Sequence, residues 1–162
     1  MSHQIDPRGQ QLAAAITSVT LVAVLLTAPG PVAVGLLVLQ AALFATAVVL
    51  GVQRTPVAVL FRRLVRPRLG PPDHLEDPRP PRFAQGVGLG FVLLALAGFG
   101  SGVTVVGYAA TGLALVAALL NATIGLCLGC EVYLLARRVL ARPLAGPTSS
   151  VPATRTPTRS TT

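Results

Sequence analysis

The chain has 162 residues, a mean hydropathy of +0.71, 52% apolar residues and 11% charged ones, whereas soluble globular domains are about a quarter charged. That balance excludes an ordinary water-soluble domain. The net charge of +8 comes wholly from arginine, but no folded basic domain with aromatic stacking platforms accompanies it, so nucleic-acid binding is not expected.

The charges are segregated. Asp6 and Arg8 are followed by no charged residue until Arg54, and Arg82 by none until Glu131. Residues 9–53 and 83–130 are therefore each long enough for two helices of ~20 residues and a tight turn. Backbone groups in lipid must be satisfied within their own segment, which selects helices over open strands.

Residues 1–10 are predicted to form a polar arm, with Asp6 as N-cap and Pro7 in the first turn of a helix. Residues 11–52 make the first hairpin. Its helices run from about Gln11 to Ala28 and from about Val32 to Val52, and Pro29-Gly30-Pro31 turns the chain between them. The apolar run 12–28 has the length of a signal-peptide core, but a second span follows three residues later, as a hairpin requires. Gln40 and Thr46 are expected to hydrogen-bond between helices.

Residues 53–84 form a long loop carrying Arg54, Arg62, Arg63, Arg66, Arg68, Arg79 and Arg82 against Asp73, Glu76 and Asp77. Residues 57–66 set arginines beside apolar positions, the pattern of a short interfacial helix. Pro67, Pro71, Pro72, Pro78, Pro80 and Pro81 are expected to hold the chain in extended and turn conformations. The loop sets topology and meets lipid headgroups. Arg62, Arg63, Arg66 and Arg68 are also candidates for a partner-docking or anion-binding surface beside the cysteines.

Residues 85–139 belong to the second hairpin. One helix is predicted from about Phe83 to Phe99, and Gly100-Ser101-Gly102 turns the chain. A last helix is predicted from about Val105 through Tyr133. Gly86/Gly90 and Gly98/Gly102 have the four-residue spacing that lets helices approach closely. On one continuous helix Tyr108 and Tyr133 stand ~37 Å apart, as expected for anchors at opposite interfaces. Residues 140–162 form a Pro/Thr/Ser-rich tail predicted to be disordered.

All charges thus fall in the arm, the loop and the region from Glu131 onward, on one side of the four spans. The positive-inside rule makes that side the cytoplasm. The predicted architecture is an all-α integral membrane protein of four transmembrane helices in two hairpins, with both termini cytoplasmic. Arginine without lysine, amid abundant Ala, Gly, Pro and Val, points to a GC-rich bacterial genome and hence to a bacterial plasma membrane.

Chemistry concentrates in Asn121-Ala-Thr-Ile-Gly-Leu-Cys-Leu-Gly-Cys-Glu-Val-Tyr133, which holds both cysteines. On a helix, Cys127 and Cys130 share a face with Glu131, and Cα atoms three residues apart are close enough for a disulfide. The pair can therefore pass between dithiol and disulfide without rebuilding the backbone. Gly125 and Gly129 weaken the helix here. A helix restarting near Cys127 sets that thiol among unpaired N–H groups at a positive dipole end, which favours a thiolate. Glu131 is the candidate partner for a loop arginine or acceptor of the thiol proton. Asn121 and Tyr133 read as a packing hydrogen-bonder and an interface anchor. No metal is expected, because two thiolates make half a zinc site and neither His3 nor His74 has suitable spacing.

The runs Phe61-Arg-Arg-Leu-Val-Arg-Pro-Arg-Leu-Gly-Pro-Pro72, Leu75-Glu-Asp-Pro78, Pro80-Pro-Arg-Phe-Ala-Gln85 and Asn121 through Tyr133, with the opening Ile5-Asp-Pro-Arg-Gly9, resemble the bacterial membrane family called domain of unknown function 4395. The resemblance covers residues 5 to about 140. It implies a four-helix integral membrane protein, and its association with thioredoxin-like and sulfurtransferase genes implies thiol or sulfur chemistry.

The leading expectation is a membrane thiol–disulfide protein. Cys127 attacks, Cys130 resolves and Glu131 manages the proton, and a thioredoxin-like protein or a sulfurtransferase is the partner. No cofactor is expected. Transfer to a lipid quinone is a variant, although no aromatic-rich pocket announces one. The alternatives are a non-catalytic membrane scaffold or subunit whose cysteines pack as small apolar residues, and an oligomeric transporter of a sulfur-containing anion.

Overall fold

Asp6 starts the first helix as expected: its carboxylate accepts the Arg8 N–H at 3.0 Å, and Pro7 occupies the first turn. The computed structural model describes residues 5–69 and 77–140. Within them the chain is all-helical, with α1 at Pro7–Thr27, α2 at Pro31–Leu50, α3 at Pro56–Leu60, α4 at Arg79–Gly100, α5 at Thr104–Ile124 and α6 at Leu128–Leu140. The expectations for Pro71, Pro72, His3, His74 and the tail from residue 141 lie outside the described residues. Helices α1, α2, α4 and α5 are each long and apolar enough to cross a membrane.

These four helices form a ring. α1 packs on α2 and α5, and α4 packs on the same two, so α1 and α4 face each other across a diagonal. Leu21, Val24, Ala33, Leu37, Val92, Ala95, Phe99 and Ala110 supply the core at the end of the bundle that carries the two short turns. α4 and α5 approach closely there: a Cβ on Gly98 would lie 2.5 Å from the Gly107 backbone nitrogen. Tyr108 ties the two turns together, its hydroxyl donating to the Ala28 carbonyl at 2.9 Å while its ring meets Phe99 edge to face.

The loop end is built differently from the sequence expectation in three places. α4 begins at Arg79, not Phe83, with Pro80 and Pro81 inside its first turn, where a missing N–H costs nothing and the fixed φ favours helix. Pro56–Leu60 continues through a π turn (Phe61–Val65) and a 3₁₀ turn (Arg66–Arg68), so Pro67 too is helical. Its buried Phe61 lies against Gly9 of α1, while Arg62, Arg63, Arg66 and Arg68 are exposed. Among the polar groups of α2, Gln40 bonds across helices, its Nε2 donating to Thr17 Oγ1 at 3.1 Å. Thr46 instead donates to Leu43 of its own helix, a local option always open to a threonine hydroxyl.

Close approach follows single glycines rather than the four-residue pairs. Gly98 packs tightly, Gly90 meets nothing, and Gly88 fits beneath the Phe44 ring, where a Cβ would lie 3.0 Å away. Arg82, beside α2, caps it. Its Nε donates to the Val48 carbonyl at 2.6 Å and its Nη2 to that of Val49 at 3.3 Å, satisfying carbonyls that the helix end leaves open.

The cysteine turn and its cavity

The predicted last helix is two helices. α5 stops at Gly125, which adopts φ +71° and returns its N–H to the carbonyls of Leu120 and Asn121. Glycine takes this left-handed cap without a Cβ penalty. Leu126 and Cys127 follow, and α6 starts at Leu128. Tyr108 and Tyr133 therefore lie on different helices and do not measure a single span. Tyr133 packs on Phe83 with ring centroids 5.6 Å apart, fastening α6 to the start of α4.

Glu131 donates its N–H to the Cys127 carbonyl at 3.0 Å, which makes Cys127 the N-cap of α6 and Cys130 its third residue. The two cysteines form a disulfide with Cα atoms 5.2 Å apart. Both are half-buried. The glycine between the cysteines is set by packing: a Cβ on Gly129 would lie 2.6 Å from Ala84 Cβ and 2.7 Å from its Cα.

Behind the disulfide lies a cavity of about 390 Å³ bordered by α1, α4, α5 and α6. It exists because the facing positions are small: Ala13, Ala14, Ala84, Gly88, Ala114, Ala117 and Ala118 all line it. Both cysteines form part of its wall, as do Phe44 and Phe91. Its polar groups are neutral, namely Gln10, Gln11, Thr17, Gln85 and Asn121, and none of the lining residues is charged. The exposed apolar residues Val87, Leu113 and Val132 also border it, so the cavity reaches the apolar outer surface of the bundle.

A smaller cavity of about 110 Å³ lies beneath α3 and shares Gln10, Thr17, Phe44 and Gln85 with the first. Gln40, 2% exposed, lines it, and its Oε1 has no hydrogen-bond partner. Arg62 and Arg66 border this smaller cavity, whereas neither Arg63 nor Arg68 lines either one. Glu131 is exposed, outside both cavities, and makes no ion pair among the described residues. Asn121 faces the larger cavity without a side-chain hydrogen bond among the described residues. No cluster of three or more potential metal ligands occurs among those residues.

Reading the sequence alone missed Gln10, Gln11 and Gln85, which line the larger cavity. Their signal is an uncharged amide at the loop-end terminus of an apolar span, but the fold is needed to bring them together. No curated protein and no solved structure matches the chain. The family described as Domain of unknown function (DUF4395) matches residues 5–138, from the cap of α1 to the arginines of α6, and the chain belongs to that family.

Proposed function

We propose that this is a multi-pass protein of the bacterial plasma membrane that exchanges thiols and disulfides at its cytoplasmic face. The observation behind this reading is a disulfide-bonded cysteine pair at a helix start, half-exposed beside the charged end of an apolar four-helix bundle. The arginines of that end support the orientation, since cationic segments stay in the cytoplasm.

Starting from the dithiol, Cys127 thiolate attacks a sulfur of the partner's disulfide, forming a mixed disulfide and releasing one partner thiolate. Cys130 thiolate then attacks the Cys127 sulfur, closing the internal disulfide and expelling the second partner thiolate. The partner gains two electrons and this protein loses two. Glu131, in the first turn of α6, exchanges the thiol proton with water. A thioredoxin-like partner docks on Arg62, Arg63, Arg66 and Arg68, whose exposure suits an acidic surface.

A second reading has one observation in its favour. The Gly129–Ala84 and Tyr133–Phe83 contacts already hold α6 on α4, so the disulfide can act as a clip in a scaffold. Trapping separates the two. Cys130→Ser should accumulate a mixed disulfide through Cys127 with a small cytoplasmic thiol protein. No adduct, together with full function of a Cys127→Ala/Cys130→Ala variant in a growth assay sensitive to gene loss, leaves only the clip.

A further inference from the structure

We infer that the larger cavity is a binding site for a quinone head group, which accepts the two electrons of the cysteine pair. This rests on the redox reading above, whose exchange steps run in reverse when the partner arrives as a dithiol: the partner's disulfide forms, the Cys127–Cys130 dithiol is regenerated with the partner's two electrons, and the acceptor then takes them up. A dithiol with no second cysteine pair in the chain has nowhere within its own sequence to pass electrons, so a continuing cycle needs an external two-electron carrier. The cavity's chemistry selects which kind.

Its volume of about 390 Å³ falls in the range of small-molecule sites, about 300–1,000 Å³. The lining excludes an anion, because it offers no cationic side chain to replace the water an anion would lose. It instead offers two phenylalanine rings, Phe44 and Phe91, and amide donors from three helices: Gln10 on α1, Gln85 on α4 and Asn121 on α5. None of these amides makes a side-chain hydrogen bond among the described residues. A flat, neutral ring with carbonyl oxygens on opposite edges uses both features, stacking on the rings and accepting from the amides. The apolar rim lets such a molecule enter from lipid with its tail outside.

The overall step balances without any other reactant. Two S–H bonds break and one S–S bond forms, while the two electrons and two protons convert the quinone carbonyls to the two hydroxyls of a quinol. With both cysteines in the cavity wall, a ring bound there lies beside the pair.

Full-length protein in lipid nanodiscs is reduced, freed of reductant and mixed anaerobically with decylbenzoquinone. Quinone loss is followed by absorbance and disulfide formation by maleimide mass shift. One quinol should appear per disulfide. Ala117→Phe fills the cavity and should abolish saturable oxidation by decylbenzoquinone, while exchange with glutathione disulfide stays as in the unaltered protein. Gln85→Leu and Asn121→Leu should each raise the half-saturating quinone concentration about three- to tenfold, as expected for one lost hydrogen bond. Binding is read separately on a Cys127→Ser/Cys130→Ser variant, which cannot react. Saturable decylbenzoquinone binding there, lost on adding Ala117→Phe, supports the site even if no thiol exchange occurs. No saturable binding, or binding indifferent to Ala117→Phe, overturns it even if the cysteines exchange freely with proteins.

Discussion

Gly129→Ala is the sharpest probe of how the cysteine turn is held. The new methyl would lie 2.6 Å from Ala84 Cβ and 2.7 Å from Ala84 Cα, whereas carbon atoms in contact settle at about 3.5–4.0 Å. α6 must therefore move away from α4 by about 1 Å. Ala84 Cα is backbone and cannot rotate aside, so the strain falls near the upper part of the usual overpacking range, about 1–3 kcal/mol. Replacing a helical glycine by alanine returns at most about 1 kcal/mol. The net expectation is a loosening of α6 by about 1–2 kcal/mol, a factor of roughly 5–30 in its docking equilibrium. Amide hydrogen exchange in nanodiscs reads this directly. Peptides covering residues 128–140 should exchange faster by that factor, while those from α1 and α2 stay unchanged. Reduction of the disulfide by a water-soluble phosphine should also quicken, because α6 no longer presses the turn onto the bundle. Unaltered exchange in α6 would falsify the claim that the Gly129–Ala84 contact positions the cysteines.

The other expectations concern the bundle itself. Arg82→Gln removes the charged cap on the Val48 and Val49 carbonyls and should destabilise the protein by about 1 kcal/mol in a detergent unfolding titration, the exposed site tempering the usual worth of a charged hydrogen bond. A change below the error of the titration means that water caps α2 equally well. Gln40→Leu trades a Gln–Thr bond worth about 0.6 kcal/mol in a membrane bundle for relief of an unpaired buried oxygen costing about 1–3 kcal/mol. The unfolding midpoint should therefore rise, and a marked fall shows that Gln40 is held by more than Thr17. Tyr108→Phe keeps the edge-to-face contact with Phe99 but loses the bond to Ala28. A loss of about 0.5–1.5 kcal/mol is expected, and an unchanged midpoint shows that this bond does not hold the two turns together. A reporter fused after Val139 should read cytoplasm, and a periplasmic signal reverses the proposed orientation.

Much of the architecture was legible because the signals are local. A run of residues without charge fixes where lipid can be crossed, since every backbone group there must find its partner in its own helix. Asp6-Pro7 and Pro29-Gly30-Pro31 set an entry and a turn through their own dihedral and hydrogen-bonding limits. The same local chemistry misleads where it permits two outcomes. Pro80 and Pro81 suit an extended loop or a first helical turn, and only the docking of α4, with Arg82 on the end of α2, selects the latter.

The cysteine site shows the division most clearly. Residue spacing alone establishes that Cys127 and Cys130 can bridge, because three residues of either helix or turn bring their Cα atoms near enough. Whether Gly125 lies within a helix or ends one is not a local matter, since membrane helices tolerate glycine in their interiors. Packing of Gly129 on Ala84 and of Tyr133 on Phe83 decides it, turning α6 onto α4 and placing Cys127 at a helix start. The cavity is still more remote from the linear chain. Alanines and glycines of α1, α4 and α5 are unremarkable apart, and a hollow arises only where the ring of helices sets them face to face across its diagonal.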